Sequence, residues 1–212
     1  MISWIAAAHD ETILYANLVS SLHPLPDDDE LVVVTGADSI AAAYLEGQAR
    51  ATRPIRCYVH SDVQILDPPR LRYEIAFWVG LLGLAGGMVG LVGSRTPTLP
   101  WWDGHLLGSV FDSRIGLLDN GPGGPCAVLD GLLLATVHEV AWDVSIPGWH
   151  GYDYDACRQQ LAAGRTNWCL TGGGQMVRHN SDGPRDPDVI DGWAASTAAL
   201  EQKWGGLADG SG

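Results

Sequence analysis

Lysine is almost absent from this chain of 212 residues, in which Lys203 is the single example. Lysine and arginine together number 12 against 25 aspartates and glutamates, which gives a formal net charge of −13. The basic residues form no cluster. Binding to nucleic acid or to an anionic membrane requires concentrated positive charge, so the sequence disfavours both partners. A phosphorylated ligand would have to be neutralised by a metal ion, scattered arginines or backbone N–H groups.

The sequence also lacks the short motifs that identify several classes of enzyme. It has no G-x-x-x-x-G-K-[S/T] phosphate loop, no G-x-G-x-x-G after the first predicted strand, no G-x-S-x-G and no H-E-x-x-H. Its four cysteines form no C-x-x-C pair and no zinc-binding spacing, which predicts reduced, mostly buried thiols in a cytoplasmic protein. Since no basic segment or cleavage site lies near the first residue, we expect no signal peptide.

One long uncharged run, residues 75–93, has the length of a membrane span. Six of its 19 residues are glycine, and each glycine costs about 1 kcal/mol in a helix relative to alanine. We therefore predict a buried helix over residues 70–84, a glycine turn, and a buried strand over residues 88–92. Membrane insertion remains the alternative for this run.

The first 65 residues predict a regular alternation of strands and helices. Apolar runs indicate strands over residues 2–8, 31–35 and 55–59, and helical spacing of apolar residues indicates helices over residues 9–22 and 39–51. This order implies a parallel sheet with right-handed crossovers, and so an α/β protein. Ligands of such sheets bind at the carboxyl ends of the strands.

The second half is less regular. The predicted elements are a possible hairpin over residues 106–110 and 115–118, a strand over 128–137, and helices over 154–163 and 188–204. Asp130 interrupts the apolar strand, and burying an unpaired carboxylate is costly. Either a protein partner or a ligand must satisfy it, and the sequence leaves both open.

The tripeptide His60-Ser61-Asp62 directly follows the third predicted strand. A carboxylate at this position can hold a divalent ion that bridges two phosphates, and such an ion would supply the positive charge that the chain lacks. The alternative is that Asp62 only caps a turn. His179 is either a surface histidine or a further ligand of the same metal site.

A second cluster precedes the predicted helix over residues 154–163. Asp155 fits the role of a helix cap, because acidic residues favour helix N-termini. Asp153 falls in a loop rich in aromatic residues, which would raise its pKa towards that of a general base. The adjacent Trp101 and Trp102 form either a platform of the kind that stacks on sugars or part of the core.

Taken in order, these features resemble the GT-A glycosyltransferases, particularly the family-2-like enzymes and the StrF-like glycosyltransferase domain. The resemblance covers residues 3–181. His60-Ser61-Asp62 is similar to the D-x-D motif that ends the third strand, with His60 in place of the first acid. Residues 128–135 resemble the strand beneath the donor sugar. Residues 152–158 resemble the E-D-x-D-L-x-x-R stretch, with Tyr152 in place of the glutamate.

The resemblance implies a GT-A, Rossmann-like nucleotide-sugar-binding fold with a mainly parallel mixed sheet flanked by helices. It implies one domain over residues 1–207, with a nucleotide-binding half (1–65), a donor-sugar and acceptor half (66–181) and a C-terminal helix (182–207), before a flexible tail (208–212).

The resemblance also assigns the site residues. Asp153 would be the catalytic carboxylate. The Mn²⁺ or Mg²⁺ ligands would be Asp62, His60 and His179. Residues placed at the nucleotide are Ala7, Ala8, His9, Glu11, Gly36 and Ser61. Residues placed at the donor sugar are Asp130 and Gly131, and those at the acceptor are Trp101, Trp102, Trp149 and His150.

The function implied is transfer of a sugar from a nucleoside diphosphate sugar to a small-molecule or glycan acceptor, with inversion if Asp153 is the base. Retention stays open, because one fold hosts both outcomes. A sugar-1-phosphate nucleotidyltransferase and a non-catalytic nucleotide-sugar-binding module are the alternatives. The sugar, the base and the acceptor are not specified by the sequence.

Overall fold

The computed structural model describes residues 1–180 and 187–205. The predicted tail (208–212) and part of the predicted C-terminal segment (182–186 and 206–207) lie outside the described residues. In the described part of the chain, no helix is both long and apolar enough to cross a bilayer.

The secondary structure alternates between strands and helices along most of the chain. The strands are β1 Ile2–Ala8, β2 Glu30–Thr35, β3 Ile55–His60, β4 Val63–Ile65, β5 Gly86–Gly90, β6 Val92–Ser94, β7 Leu106–Asp112, β8 Gly116–Asp119, β9 Gly124–Cys126, β10 Val128–Leu129, β11 Leu133–Thr136, β12 Thr166–Cys169 and β13 Val177–His179. The helices are α1 Glu11–Leu14, α2 Ser20–Leu22, α3 Ile40–Arg50, α4 Pro68–Leu82, α5 Tyr152–Ala162, α6 Gly173–Met176 and α7 Pro187–Trp204. A π-helical segment, Tyr15–Val19, joins α1 to α2.

The central sheet of the described residues has the strand order β2-β1-β3-β11-β5-β12-β9. β1 pairs in parallel with β2 and β3, and β5 pairs in parallel with β12. β11 runs antiparallel to both β3 and β5. Every residue of β1 is buried, as expected for an apolar interior strand of a parallel unit. The protein therefore has an α/β fold with a mixed central sheet, as predicted.

A second sheet, in the order β10-β6-β7-β13-β4, brings a distant segment back to the end of β3. β13 pairs antiparallel with β4, so that His179 lies opposite Val63. The N–H of Asn180 donates to the carbonyl of Asp62 at 3.0 Å. This pairing places His179 beside Asp62, although the two residues are far apart in sequence.

The uncharged run forms the predicted helix and turn with shifted boundaries. α4 begins at Pro68 because the Asp67 carboxylate accepts the N–H of Arg70 at 3.1 Å and proline suits the first helical turn. It ends at Leu82, before Gly83 at φ 54°. The prediction that α4 is buried is wrong for one face, because three of its large side chains are exposed, namely Tyr73, Phe77 and Leu81.

Two predicted single strands are each divided between the two sheets. The strand predicted over residues 88–92 is split at Leu91 into β5 and β6, and the one over residues 128–137 into β10 and β11. The second break is a turn at Asp130, whose Oδ1 accepts the N–H of Leu132 at 2.8 Å. Asp130 is only partly buried, so the prediction of a carboxylate buried inside a strand is wrong. The predicted hairpin of β7 and β8 and the four buried, free cysteines are confirmed.

Candidate active site

Three side chains of the described residues converge where β3 and β13 end. His60 closes β3, Asp62 follows it, and His179 closes β13. One ligand atom from each lies within 4.8 Å of the others. Nδ1 of His60 is 3.9 Å from the Asp62 carboxylate, and Nε2 of His179 is 3.5 Å from it. The fold thus brings together all three residues proposed as metal ligands.

The Oδ1 atom of Asp62 is buried and has no hydrogen-bond partner among the described residues. An unsatisfied buried carboxylate oxygen is costly, and a divalent cation would satisfy it. Two imidazoles and one carboxylate form a mixed nitrogen and oxygen donor set that suits a divalent transition metal such as Mn²⁺. The residues present therefore fit the metal that the sequence implied.

The electrostatics of this cluster favour an ionised carboxylate between two imidazoles. Burial alone would raise the pKa of Asp62, but the hydrogen bond to His179 and the charges of both histidines lower it. Burial lowers the pKa of His60 and outweighs the opposite effect of Asp62. Burial also lowers the pKa of His179. The contact with Asp62 outweighs this effect, so the pKa of His179 is raised.

His179 also contacts a carboxylate that the sequence analysis did not identify. Its Nδ1 lies 3.4 Å from Oδ2 of Asp112, the last residue of β7. β7 and β13 are parallel, with these two residues in register. A carboxylate on the second ring nitrogen fixes the direction of a metal-binding imidazole. The signal in the sequence was an acidic residue at the end of an apolar strand, as for Asp62.

Tyr152 links the metal cluster to the start of α5. Its hydroxyl lies 2.5 Å from Nε2 of His60, which leaves Nδ1 of His60 facing Asp62. The same hydroxyl packs against Gly131, where an added Cβ would lie 2.0 Å from it. The resemblance places Tyr152 where related enzymes have a glutamate, and here its hydroxyl orients His60.

Asp153 lies in the first turn of α5, not in the loop before it, because the helix begins at Tyr152 after Gly151 in the left-handed conformation. Its two carboxylate oxygens accept the N–H of Gly131 at 3.0 Å and the N–H of Tyr154 at 2.8 Å. Burial and the nearby charge of Asp130 raise the pKa of Asp153 to about 7. The upward direction was predicted, and a pKa near neutrality suits proton transfer.

Asp155 does not cap α5, which corrects the sequence interpretation. Only 1% of its surface is exposed, and its Oδ1 accepts the indole N–H of Trp204 at 2.8 Å. The ammonium of Lys203 lies 2.8 Å from the same oxygen and 2.6 Å from Asp143. Asp155 therefore anchors the C-terminal helix α7 to α5.

This anchor makes a prediction about stability. Lys203→Met leaves the buried carboxylate of Asp155 without its cation, and we expect a loss of about 2 kcal/mol in the free energy of unfolding. A double-mutant cycle with Asp155→Asn, measured by urea denaturation, should show clear non-additivity. Asp143→Asn, which removes the more exposed partner, is the matched control and should cost less. Additive effects of Lys203→Met and Asp155→Asn would contradict the proposed anchor.

The residues proposed for nucleotide binding lie at one edge of the sheet, because β1 lies between β2 and β3. Ala7 is opposite His60 in the register of these strands. Ala7 and Ala8 are buried, Ser61 is partly exposed, and His9, Glu11 and Gly36 are exposed. The ring of Trp149 is centred 5.5 Å from that of His9, so it lies beside one of the residues proposed for nucleotide binding.

The four residues proposed for the acceptor do not form one group. Trp101 is 8% exposed and belongs to the hydrophobic core, so for this indole the structure favours the core alternative. Trp102 is 46% exposed. Trp149 packs beside His9, and His150 contacts Trp193 of α7, a residue that the sequence analysis did not identify.

Gly131 makes a second prediction about stability. Gly131→Ala would place a methyl group on the Tyr152 hydroxyl, and overpacking of this kind typically costs about 1–3 kcal/mol. Gly80→Ala, at a helical position with nothing within 4 Å of the added Cβ, is the matched control. It should raise stability by up to about 1 kcal/mol. Thermal or urea unfolding of both variants measures the difference, and equal stabilities would contradict the close packing at Gly131.

Comparisons with known proteins agree with this architecture. A family model described as "Glycosyltransferase like family" matches residues 5–169, a range that contains Asp62 and Asp153 but not His179. No curated protein matches the chain by sequence.

Two solved structures share the fold. The mannosyltransferase PcManGT from Pyrobaculum calidifontis, in complex with GDP-Man and Mn²⁺, is 13% identical with a TM-score of 0.56, and the match covers 99% of this chain and 65% of that one. GalNAc-T7 with UDP, GalNAc and Mn²⁺ is 8% identical with a TM-score of 0.52, covering 85% of this chain and 44% of that one. The chain thus matches less than two thirds of the length of either structure, and the likeness shows a GT-A-like fold.

Proposed function

Because this chain belongs to the glycosyltransferase-like family, we propose that it is a metal-dependent glycosyltransferase that uses a nucleoside diphosphate sugar as donor. One observation carries the proposal: His60, Asp62 and His179 converge within 4.8 Å at the carboxyl edge of the sheet. The two solved structures described above are complexes that contain a nucleotide or nucleotide sugar and Mn²⁺. The proposed acceptor group is a hydroxyl.

Asp62, His60 and His179 are the residues that would hold Mn²⁺ or Mg²⁺. The bound ion would supply positive charge against the diphosphate of the donor and of the leaving nucleotide. The chain has few cations of its own for this task, since its net charge is −13. Asp112 and Tyr152 would not bind the ion but orient its ligands. Asp112 holds the ring of His179, and Tyr152 holds the ring of His60.

Asp153 is proposed as the general base. Its carboxylate would take the proton of the acceptor hydroxyl while that oxygen attacks the anomeric carbon from the face opposite the leaving nucleotide, which gives inversion. The N–H groups of Gly131 and Tyr154 hold the carboxylate in place. Asp130 and Gly131, in the turn that contacts Asp153, are proposed to face the donor sugar.

A sugar-1-phosphate nucleotidyltransferase is less well supported. Such an enzyme would be expected to carry a glycine-rich, basic loop after β1. Here β1 ends at Ala8 and is followed by His9, Asp10 and Glu11, and the Asp10 carboxylate caps α1 by accepting the N–H of Thr12 at 2.7 Å. The carboxylates of Asp10 and Glu11 at the start of α1 would repel the triphosphate of such a substrate.

The role of Asp153 predicts a pH dependence. A general base works when it is deprotonated, so a pKa raised from 3.8 to about 7 predicts that kcat/KM rises as the pH increases through 7 and then levels off. An aspartate with an unshifted pKa would give no such rise above pH ~5. Initial rates between pH 5.5 and 8.5 at saturating Mn²⁺ measure the profile. A flat profile across this range would contradict the assignment.

A thermal-shift panel tests the function as a whole. Nucleoside diphosphate sugars with different bases and sugars would be compared with and without Mn²⁺. We expect a rise in melting temperature with at least one nucleotide sugar, and only when the metal is present. No shift with any of them, or an equal shift in EDTA, would overturn the proposed metal-dependent donor binding.

A further inference from the structure

Three aromatic side chains from distant parts of the chain meet beside the N-terminal end of α5. Trp102 lies between β6 and β7, His150 precedes α5, and Trp193 belongs to α7. The ring centroids of Trp102 and Trp193 are 4.8 Å apart with an interplanar angle of 35°, and those of His150 and Trp193 are 5.5 Å apart at 74°. These three residues are called the Trp193 cluster below.

The Trp193 cluster is not part of the hydrophobic core. Trp102 is 46% exposed, whereas its neighbour Trp101 is 8% exposed and fills the core. Trp193 is partly exposed. A single exposed aromatic ring needs no explanation, but aromatic rings grouped at a surface next to a candidate active site favour a ligand with a flat apolar face.

The position of His150 connects the Trp193 cluster to the reaction centre. His150 precedes the proposed base, Asp153, by three positions in the chain, and it directly precedes Gly151, after which α5 begins at Tyr152. Its Nε2 atom is buried and has no hydrogen-bond partner among the described residues. An unpaired buried polar atom is costly, so a ligand hydroxyl that reaches this nitrogen would relieve that cost.

The Trp193 cluster also lies on the side of His150 away from the proposed nucleotide site. Trp149 and His150 are consecutive, but the Trp149 ring packs against His9 after β1 and the His150 ring packs against Trp193. The rings of Trp149 and His150 therefore belong to different parts of the protein surface. A nucleobase at the ends of β1 and β2 would lie near Trp149, which leaves the Trp193 cluster for the acceptor.

We infer that Trp102, Trp193 and His150 form a stacking subsite for a neutral pyranose ring of the acceptor, an inference that rests on the proposed function and names its acceptor class. A pyranose has an apolar C–H face that packs on indole and hydroxyls that pair with the imidazole of His150. The exposed Asp103 beside Trp102 and the net charge of −13 disfavour an anionic sugar. The acceptor class that this subsite favours is thus a glycoside with a neutral pyranose ring.

Ligand-observed saturation-transfer NMR tests this subsite without requiring turnover. The probes are methyl α-D-mannopyranoside, methyl β-D-glucopyranoside and methyl N-acetyl-β-D-glucosaminide, with a serine-containing peptide and octyl β-D-glucoside as the competing classes. We expect saturation of the ring C–H protons of at least one methyl pyranoside. Trp102→Ala and Trp193→Ala should each abolish it, Trp193→Phe should retain part of it, and Trp149→Ala is the control that should keep it.

The outcomes separate the subsite from the proposed function. Pyranoside binding that disappears in both alanine variants, together with no transfer from any donor, would keep the subsite and refute the glycosyltransferase. No saturation of any pyranoside, binding unchanged in Trp102→Ala, or saturation confined to the peptide or the octyl chain would overturn the subsite. Because the side chain of Trp102 is exposed, on a one-turn 3-10 helix (Trp101–Asp103), its variant should fold even if Trp193→Ala loosens α7.

With an active donor and acceptor in hand, steady-state kinetics provide a second readout. Trp102→Ala should raise the KM for the acceptor about 10-fold, which corresponds to about 1.4 kcal/mol of lost ring stacking. The Kd for the nucleoside diphosphate in the presence of Mn²⁺ should change less than about 2-fold, well below a tenfold change. An equal loss for donor and acceptor would contradict a subsite specific for the acceptor.

Discussion

Asp153→Asn should lower turnover at least ~100-fold, the lower end of general-base contributions, while binding the nucleotide and Mn²⁺ almost normally. The reason is local: among the described residues, the carboxylate is held by two backbone N–H groups and by no cation. The carboxylate of Asp153 can therefore accept a proton near neutral pH. Asn keeps the shape of the side chain and removes the basicity. Turnover, with donor affinity measured separately by calorimetry, distinguishes the two effects.

Asp155→Asn is the matched control for this prediction. Asp155 is two residues away on the same helix but is tied to Lys203 and Trp204, so its loss should reduce stability more than chemistry. If Asp155→Asn folds, it should retain most of its kcat. A folded Asp155→Asn protein without activity, beside an active Asp153→Asn protein, would show that the wrong carboxylate was assigned.

Asp62→Asn should lower the Mn²⁺-dependent affinity for nucleoside diphosphates at least ~100-fold, because changes in the outer shell of a metal site already cost 10–100-fold. Asp62 provides the only carboxylate among the three candidate ligands. The amide that replaces it leaves the diphosphate facing an acidic protein without a bridging cation. Calorimetry with Mn²⁺ and in excess EDTA measures both states.

The control for this second prediction is Asp67→Asn. Asp67 lies five residues after Asp62 and caps α4 by accepting the N–H of Arg70. Asn caps a helix about as well as Asp, so this replacement should leave metal binding, nucleotide binding and stability nearly unchanged. Nucleotide affinity that does not change in Asp62→Asn, or that is the same with EDTA, would remove the metal site from the proposed mechanism.

The positions that could be predicted from the sequence were those that depend on local pattern. Ala7 and Asp62 follow from apolar runs that end in polar residues, and a parallel sheet brings such ends to one edge. Asp112 and Trp193 were missed, and the contact of Tyr152 with His60 was not foreseen, because these interactions depend on pairing between strands and helices far apart in the chain. The division of residues 128–137 into two strands was missed for the same reason, since the run of apolar residues does not reveal which sheet each part joins.

Asp155 shows how a local rule can give the wrong role. An acidic residue at the start of a helix is a normal capping pattern, and that pattern alone predicted a cap. The structure instead buries this carboxylate under α7, where Lys203 and Trp204 reach it. The partners lie about 50 residues later in the chain, beyond any local window.

The anchor at Asp155 has a practical consequence, since Lys203 carries the only side-chain amine of the protein. Burial alone would lower the pKa of Lys203, but Asp143 and Asp155 outweigh it and raise the pKa, so little of the amine is in the nucleophilic neutral form. Acylating reagents should therefore modify Lys203 slowly while α7 is docked and rapidly once it detaches. Mass-spectrometric labelling at this one position would time the opening of the C-terminal helix without any engineered probe.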